Sequence, residues 1–457
     1  MLLWESEVSD SDQTPPGLKI AVIGTGVAGM SAAWLLSRRH RVTVYEKEHR
    51  TGGHSHTVEV AGPGGSVPVD TGFIVYNTLT YPNLTALFDH LDVPTRASNM
   101  SFSASLRGGT FEYAGTTLNG LFGQRRNLLR PRFWGMIADL LRFYDAAPNL
   151  LDETGDISLG AYLAREGYGE AFINDHLLPM GAAIWSATPV EMLAYPARAF
   201  IAFFKSHGLL LLRGRPQWRT VAGGSREYVR RLTAPYAERI RHVGVRSIRR
   251  TGAGVCVEDV HGHADYFDDV VISTHADEAL GLLVDADAQE RSLLGKWRYT
   301  DNTAVLHGDP RLMPRRRRVW ASWNFIEGAA PAAQTSPNLC VTYWMNLLQG
   351  LPAEREVFVT LNPVVDPAEH LVHRRIQYAH PFFDAEALWS QRRLWSLQGR
   401  RNTWFCGSYF GYGFHEDALQ SGLAVAEQLG GLRRPWAVPG ENDRIHVAPL
   451  PRLVAAA

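Results

Sequence analysis

Cysteine is scarce. Cys256, Cys340 and Cys406 are the only three in 457 residues. They are too few and too scattered for a disulfide framework or a zinc site, so no metal is expected and a reducing, cytoplasmic compartment is. Lysine is scarce too, confined to Lys19, Lys47, Lys205 and Lys296. The other basic residues are arginines, which suit fixed contacts to phosphate and carboxylate. Net charge is absent, 46 acidic residues cancelling 46 basic ones, which argues against a nucleic-acid partner. Long apolar runs are also missing. The uncharged stretch Gly328 to Ala353 is broken by Pro331, Pro337 and Pro352, and Ala199 to Leu212 by Lys205 and His207, so no membrane-spanning helix is expected. The first sixteen residues, with Glu5, Asp10, Asp12, Pro15 and Pro16, lack the basic and apolar regions of a signal peptide and read as a flexible lead-in.

Glycine is used with more purpose. Lys19 to Ile23 is a short apolar, β-branched run, followed by Gly24-Thr-Gly26-Val-Ala-Gly29 and a helical stretch from Met30 to Arg39. In such a turn Gly24 permits the tight bend, Gly26 lets a pyrophosphate approach the backbone, and Gly29 lets the helix pack on the strand. Arg41 to Tyr45 reads as the second strand, and Glu46 stands at its end, 22 residues after Gly24, where a carboxylate accepts ribose hydroxyls. An adenine dinucleotide site is the reading.

The run from Tyr45-Glu46 to Gly52-Gly53-His54, then Val69-Asp70-Thr71-Gly72-Phe73, resembles the amine oxidase, phytoene desaturase and protoporphyrinogen oxidase group of FAD-dependent oxidoreductases. So does the far end, from Phe405 through Gly407 to Glu416-Asp417-Ala418 and Ser421-Gly422, although Ser408-Tyr409-Phe410 replaces the acidic residue many members carry there. The resemblance implies an α/β chain: a Rossmann-type FAD-binding domain of the GR2-like glutathione reductase fold, with a discontinuous α+β substrate domain. It implies noncovalent FAD held by Gly24, Gly26, Val27, Ala28, Gly29, Glu46, Lys47, Gly52, Gly53, His54, Asp70, Thr71, Gly72, Phe73, Val245, Gly407, Glu416, Asp417, Ala418 and Ser421. The strand expected over Ile240–Ile248 would lay Val245 against adenine. The FAD domain would comprise 17–90, 215–290 and 395–432, the substrate domain 91–214 and 291–394, with 433–457 a Pro-rich tail.

Amine oxidases usually carry a lysine after the strand that follows the second FAD segment; here that place reads Tyr299 to His307, with Asn302 in it, and Lys296 comes before it. Carbon–carbon desaturation or isomerisation is thereby favoured over amine oxidation. More narrowly, Gly53 to Thr57, Asp70 to Asn77, Val341 to Asn346 and Gly413 to Asp417 resemble bacterial FAD-binding proteins similar to the flavin domain of plant cyclopropane fatty acid synthases. That likeness implies dehydrogenation of a fatty acyl chain, phospholipid-borne and methyl-branched or unsaturated, with a lipid methyltransferase as a partner. An amine or polyene oxidase and a non-catalytic flavin scaffold are the alternatives. His415, Glu416, Tyr343 and Asn346 are the catalytic candidates: His415 and Glu416 stand at the start of the closing helix, where His415 would exchange a proton with substrate, and Tyr343 and Asn346 belong to a strand-like segment that would wall the substrate cavity, with Asn302 and His307 behind them.

The zero net charge hides two acid-free basic stretches. One holds Arg198, Lys205, Arg213, Arg215, Arg219 and Arg226; the other holds Arg125, Arg126, Arg130 and Arg132 among Leu128, Leu129, Phe133 and Trp134. Arg315 to Arg318 add a third basic run. Arginines interleaved with leucine and aromatic residues suit peripheral contact with an anionic membrane, and an apolar tunnel entered from it would follow.

Overall fold

The computed structural model describes residues 17–62, 64–115, 117–155, 157–185, 188–328 and 339–449. The expected lead-in, part of the uncharged stretch after Gly328 and the last residues of the tail lie outside these. Among the described residues no helix is long and apolar enough to cross a membrane.

Three distant pieces of chain build one parallel sheet of five strands, in the order Ile240–Arg241, Arg41–Tyr45, Lys19–Ile23, Asp269–Ile272, Thr403–Phe405. Its central strands are near-continuous aliphatic runs because both faces are covered; Ile20, Val22, Val270 and Ile272 are fully buried. The helix Val27–Leu36 is buried along its whole length. Its outer side is covered by the closing helix His415–Gly430, and a Cβ at Gly422 would collide with the Ala28 carbonyl. Glycine is what lets the two helices approach so closely.

The second body is a mixed sheet of seven strands, ordered Val372–Phe382, Arg298–His307, Phe358–Leu361, Leu339–Trp344, Trp323–Glu327, Phe102–Leu106, Phe111–Ala114. The helix Leu178–Trp185 packs against its strands Trp323–Glu327 and Leu339–Trp344. A junction sheet joins the halves: Trp218–Val221 pairs with both Tyr76–Asn77 and Thr95–Ala97.

Two expectations change. The strand expected over Ile240–Ile248 is two strands. Ile240–Arg241 runs parallel in the large sheet, whereas Val245–Thr251 starts an antiparallel meander with a register shift at its first residues. The break falls at His242 to Gly244, where the His242 ring meets the Glu48 carbonyl and Gly244 packs near Lys47. The chain after 432 is not a free tail over 433–446. Arg434 is buried, pairs with Glu427 at 2.8 Å and donates to Asn83. Trp436 stacks on Trp34, and Arg444 lies 3.4 Å from Asp417.

Candidate active site

The glycine turn and the second strand leave an open space at the N-terminus of the first helix. Gly24 has φ +100° and donates to the Tyr45 carbonyl at 2.8 Å, a conformation that glycine adopts freely. A Cβ at Gly29 would strike the Gly24 carbonyl and Ser273, so the helix can sit on the strand only with glycine there. At Gly26, by contrast, a Cβ would meet nothing within 4 Å. The buried carboxylate of Glu46 accepts from the Thr25 amide at 3.0 Å and the Glu48 amide at 2.9 Å. Lys47 turns its ammonium to Glu278 at 2.7 Å, so that side chain points to a surface ion pair and not to the glycine turn.

The Gly52-Gly53 turn closes on this space. Gly52, at φ +119°, donates to the Thr25 carbonyl at 3.2 Å, and a Cβ on Gly53 would stand 3.0 Å from the Gly26 Cα. Arg50 clasps the turn through the Gly53 carbonyl at 2.8 Å. Residues 70–73 lie along it: Thr71 donates to the His56 carbonyl and Phe73 to that of His54. Gly72 is required because a Cβ would strike the His54 carbonyl.

Beyond the turn is a cluster of rings. His54 stacks on Tyr378 at 4.9 Å, with His380 at 5.5 Å and His275 at 6.4 Å. Its Nε2 is shielded from solvent and has no hydrogen-bond partner among the described residues. Burial, reinforced by His380 and His275, holds its pKa well below the usual imidazole value. His380 is lowered to about 4, chiefly by burial. Tyr378 and His380 share one face of their strand by its two-residue repeat, and Asn302 meets His380 Nδ1 at 3.2 Å. His415 stacks on Phe73 at 3.8 Å, and its Nε2 bonds the Tyr228 hydroxyl at 2.7 Å and Ser55 at 3.2 Å. Burial lowers its pKa to about 3, so it is a neutral, weak base at physiological pH.

Several sequence candidates do other work. Asp70 is buried with both carboxylate oxygens used: Thr57, the Ser225 amide and hydroxyl, and Gln349 all donate to it. It ties three chain segments together and has no lone pair left over for a cofactor. Glu416 accepts from the Asn83 amide and side chain, the Leu84 amide and Gln420. Its carboxylate sits on the N-terminus of the helix Pro82–His90, where backbone N–H groups lack helical partners. Asp417 accepts from the Phe414 amide at 2.7 Å, and burial raises its pKa to about 6. Ala418 is buried beside it, and Ser421 accepts from the Gly407 amide at 2.9 Å, fixing strand to helix.

Tyr343 is buried edge-on to Trp323 at 5.0 Å. Asn346 donates to the Pro352 and Arg355 carbonyls and accepts from Val357, so its amide is consumed in holding a loop. No described contact joins either residue to His54, Phe73 or His415. His307 is buried against Thr360 and the Asp309 amide, away from the ring cluster. Val245 begins its strand one residue after Gly244, whose nearest neighbours include Lys47, placing it near the end of the second strand. Ser55, Tyr228, His275, Tyr378 and His380 were not anticipated as members. Ser55 follows His54, already singled out, and Tyr378 and His380 alternate on one strand, but nothing in the sequence says where that strand goes.

The buried histidines predict acid lability. His176, His207 and His307 have pKa values lowered by burial to about 4, 3 and 4. The unfolded chain takes up their protons near pH 6.5 and the folded chain does not, so stability falls as pH drops below that value. From pH 7 to pH 5 each costs about 2 kcal/mol. Asp70 and Asp417, raised to about 6 by burial, return about 1 kcal/mol each over the same range. His380 and His415, lowered to about 4 and about 3, add losses of the same size, so a net loss of at least about 4 kcal/mol is expected by urea unfolding at the two pH values; equal stability would refute it.

Residues 22–91 match the family model described as an NAD(P)-binding Rossmann-like domain. No curated protein matches the chain in sequence. Among solved structures, CLA-producing fatty acid isomerase from P. acnes superposes with a TM-score of 0.60 at 16% identity, covering 89% of this chain and 97% of that one. Cyclohexylamine oxidase from Brevibacterium oxydans IH-35A gives 0.64 at 14%, covering 91% and 100%. Wild-type putrescine oxidase bound to putrescine gives 0.63 at 14%, covering 91% and 99%. At these identities the likeness is one of fold: a Rossmann-type dinucleotide-binding domain joined to a second, mixed body.

Proposed function

We propose that the chain is an FAD-dependent oxidoreductase that dehydrogenates a fatty acyl chain, phospholipid-borne and methyl-branched or unsaturated. The open space over Gly26, the Gly52-Gly53 turn facing it and the unpartnered, solvent-shielded His54 Nε2 fit a dinucleotide laid across the first helix. In that arrangement the helix N-terminus and both glycine turns hold the pyrophosphate, Glu46 takes the ribose hydroxyls, and the Val245 backbone faces adenine. Bound FAD would supply the hydride acceptor that the chain's own side chains lack. Cys406 is fully buried and its thiol is pushed up by burial, which favours noncovalent attachment.

The observation that carries the substrate class is the ring cluster. His54, His275, His380 and His415 all have lowered pKa values through burial and stand beside Tyr299, Tyr378 and Phe73. A neutral aromatic wall suits a hydrocarbon chain. The strand Arg298–His307 contains no lysine, and Lys296, just before it, is paired with Glu386 at the surface. The proposed enzyme binds and dries the chain with these rings, and Tyr228, Ser55 and Phe73 keep His415 fixed at the start of the closing helix.

The test is lipid mass spectrometry of cells with and without the protein. Loss of acyl species two mass units lighter than their retained precursors is expected. Loss of the methyl-branched precursor itself would favour a scaffold for a lipid methyltransferase, and an unchanged lipid profile with altered polyamines or polyenes would favour the oxidase alternatives.

A further inference from the structure

The basic stretches of the sequence do not all survive as charged surface. Arg132 pairs with the buried Asp175 at 2.7 Å, Arg316 with the buried Glu112 at 2.7 Å, Arg317 with Glu356, and Arg226 with Glu59. Arg198 is spent on the Leu150 and Glu153 carbonyls, and Arg219 on Thr95. Lys205, Arg213 and Arg215 stay exposed with no carboxylate partner among the described residues. Arg125 and Arg126 are exposed with no carboxylate partner among the described residues, and Arg318 is exposed with its stem against Gly123.

The two most exposed large apolar residues among those described, Leu129 and Leu118, lie near these arginines, together with Trp134 and Leu128. Leu129 is 86% exposed, Leu118 75%, Trp134 46% and Leu128 43%. The helix Pro131–Ala146 continues the patch, with Trp134, Ala138 and Leu141 exposed at the four- and three-residue spacing of one face. The patch is held rigidly. Gln124 and Asn127 anchor the turn to the Glu112 backbone, the Trp134 indole donates to the Leu128 carbonyl at 3.0 Å, and Phe122 packs beneath Trp134. Ordering exposed leucines on a fixed platform costs solvation with no return inside the chain.

We infer that the patch of Leu118, Arg125, Arg126, Leu128, Leu129 and Trp134 docks on an anionic phospholipid bilayer. The leucine tips and Trp134 enter the headgroup boundary while the unpaired guanidiniums meet lipid phosphates. A second copy of this chain is the poorer occupant, because a two-fold contact would press Arg125 and Arg126 against their own copies. The docked face belongs to the second body, so the inference goes beyond the proposed reaction and does not depend on its substrate.

The experiment is co-sedimentation of the flavin-loaded protein with vesicles of phosphatidylcholine alone, or with about a third phosphatidylglycerol. Binding to the anionic vesicles is expected, weakening as sodium chloride is raised, and at least about tenfold weaker for Leu129→Glu and for the Arg125→Glu, Arg126→Glu pair. Flavin content and melting temperature identify any variant that has merely misfolded, and Leu118→Glu provides a second probe. Absence of binding by the wild-type protein, or binding that all these variants retain, overturns the inference. So does a dimer that Leu129→Glu converts to monomer without vesicle binding, which makes the patch a protein interface.

Discussion

Replacing Gly26 with valine is expected to give a folded protein that purifies without flavin. The residue caps the first helix at φ −61° and ψ 167°, extended backbone that valine adopts, and its Cβ would enter space with no protein atom within 4 Å. No atom of the chain opposes the β-carbon, which points into the space where a pyrophosphate would lie. Flavin affinity should fall at least about a hundredfold, about 3 kcal/mol, with the melting temperature of the flavin-free protein nearly unchanged. Gly29→Ala is the opposite case, because its methyl group would be driven into the Gly24 carbonyl and Ser273; it should fold poorly whether or not flavin is supplied. Fluorescence titration of FAD into both variants and into flavin-stripped wild-type protein, alongside thermal melts, separates them. A Gly26→Val protein that keeps its flavin would remove the dinucleotide from this cleft.

Replacing Glu416 with alanine should destabilise the protein by about 3–5 kcal/mol, since it strands buried donors that one carboxylate now satisfies. The Asn83 amide and side chain, the Leu84 amide and Gln420 all point at it. Glu416→Gln retains one acceptor but turns an N–H₂ towards a backbone N–H, so an intermediate loss is expected. Urea unfolding measures both. The discriminating readout is the rate of flavin reduction per bound flavin, which should change by less than about threefold if Glu416 only joins helices. A loss of many orders in that rate at unchanged stability would restore a catalytic role.

The Rossmann half was legible because its constraints are local. Gly24, Gly26 and Gly29 fall at fixed offsets between an apolar strand and a helix, and Glu46 ends the next strand, so spacing alone carries the geometry. The roles of individual carboxylates were not legible. Asp70 and Glu416 sit in motifs that suggest cofactor or proton chemistry, yet each is consumed by donors about 155 and 333 residues away in the chain. The segment after 432 reads as a Pro-rich tail, and only the fold reveals that Glu427, Asn83 and Trp34 hold Arg434 and Trp436. Tyr378 and His380 were missed for a similar reason: alternation places them on one face of a strand, but the sheet order that brings this face to His54 is a long-range fact.

The most direct measurement is the visible spectrum of the purified protein before and after anaerobic addition of phospholipid carrying an unsaturated or methyl-branched acyl chain. A flavin spectrum, released on denaturation as FAD at about one per chain, and its bleaching by the acyl lipid but not by polyamines is the predicted result. A protein without flavin, or one whose flavin is reduced by amines and untouched by any acyl lipid, would contradict it.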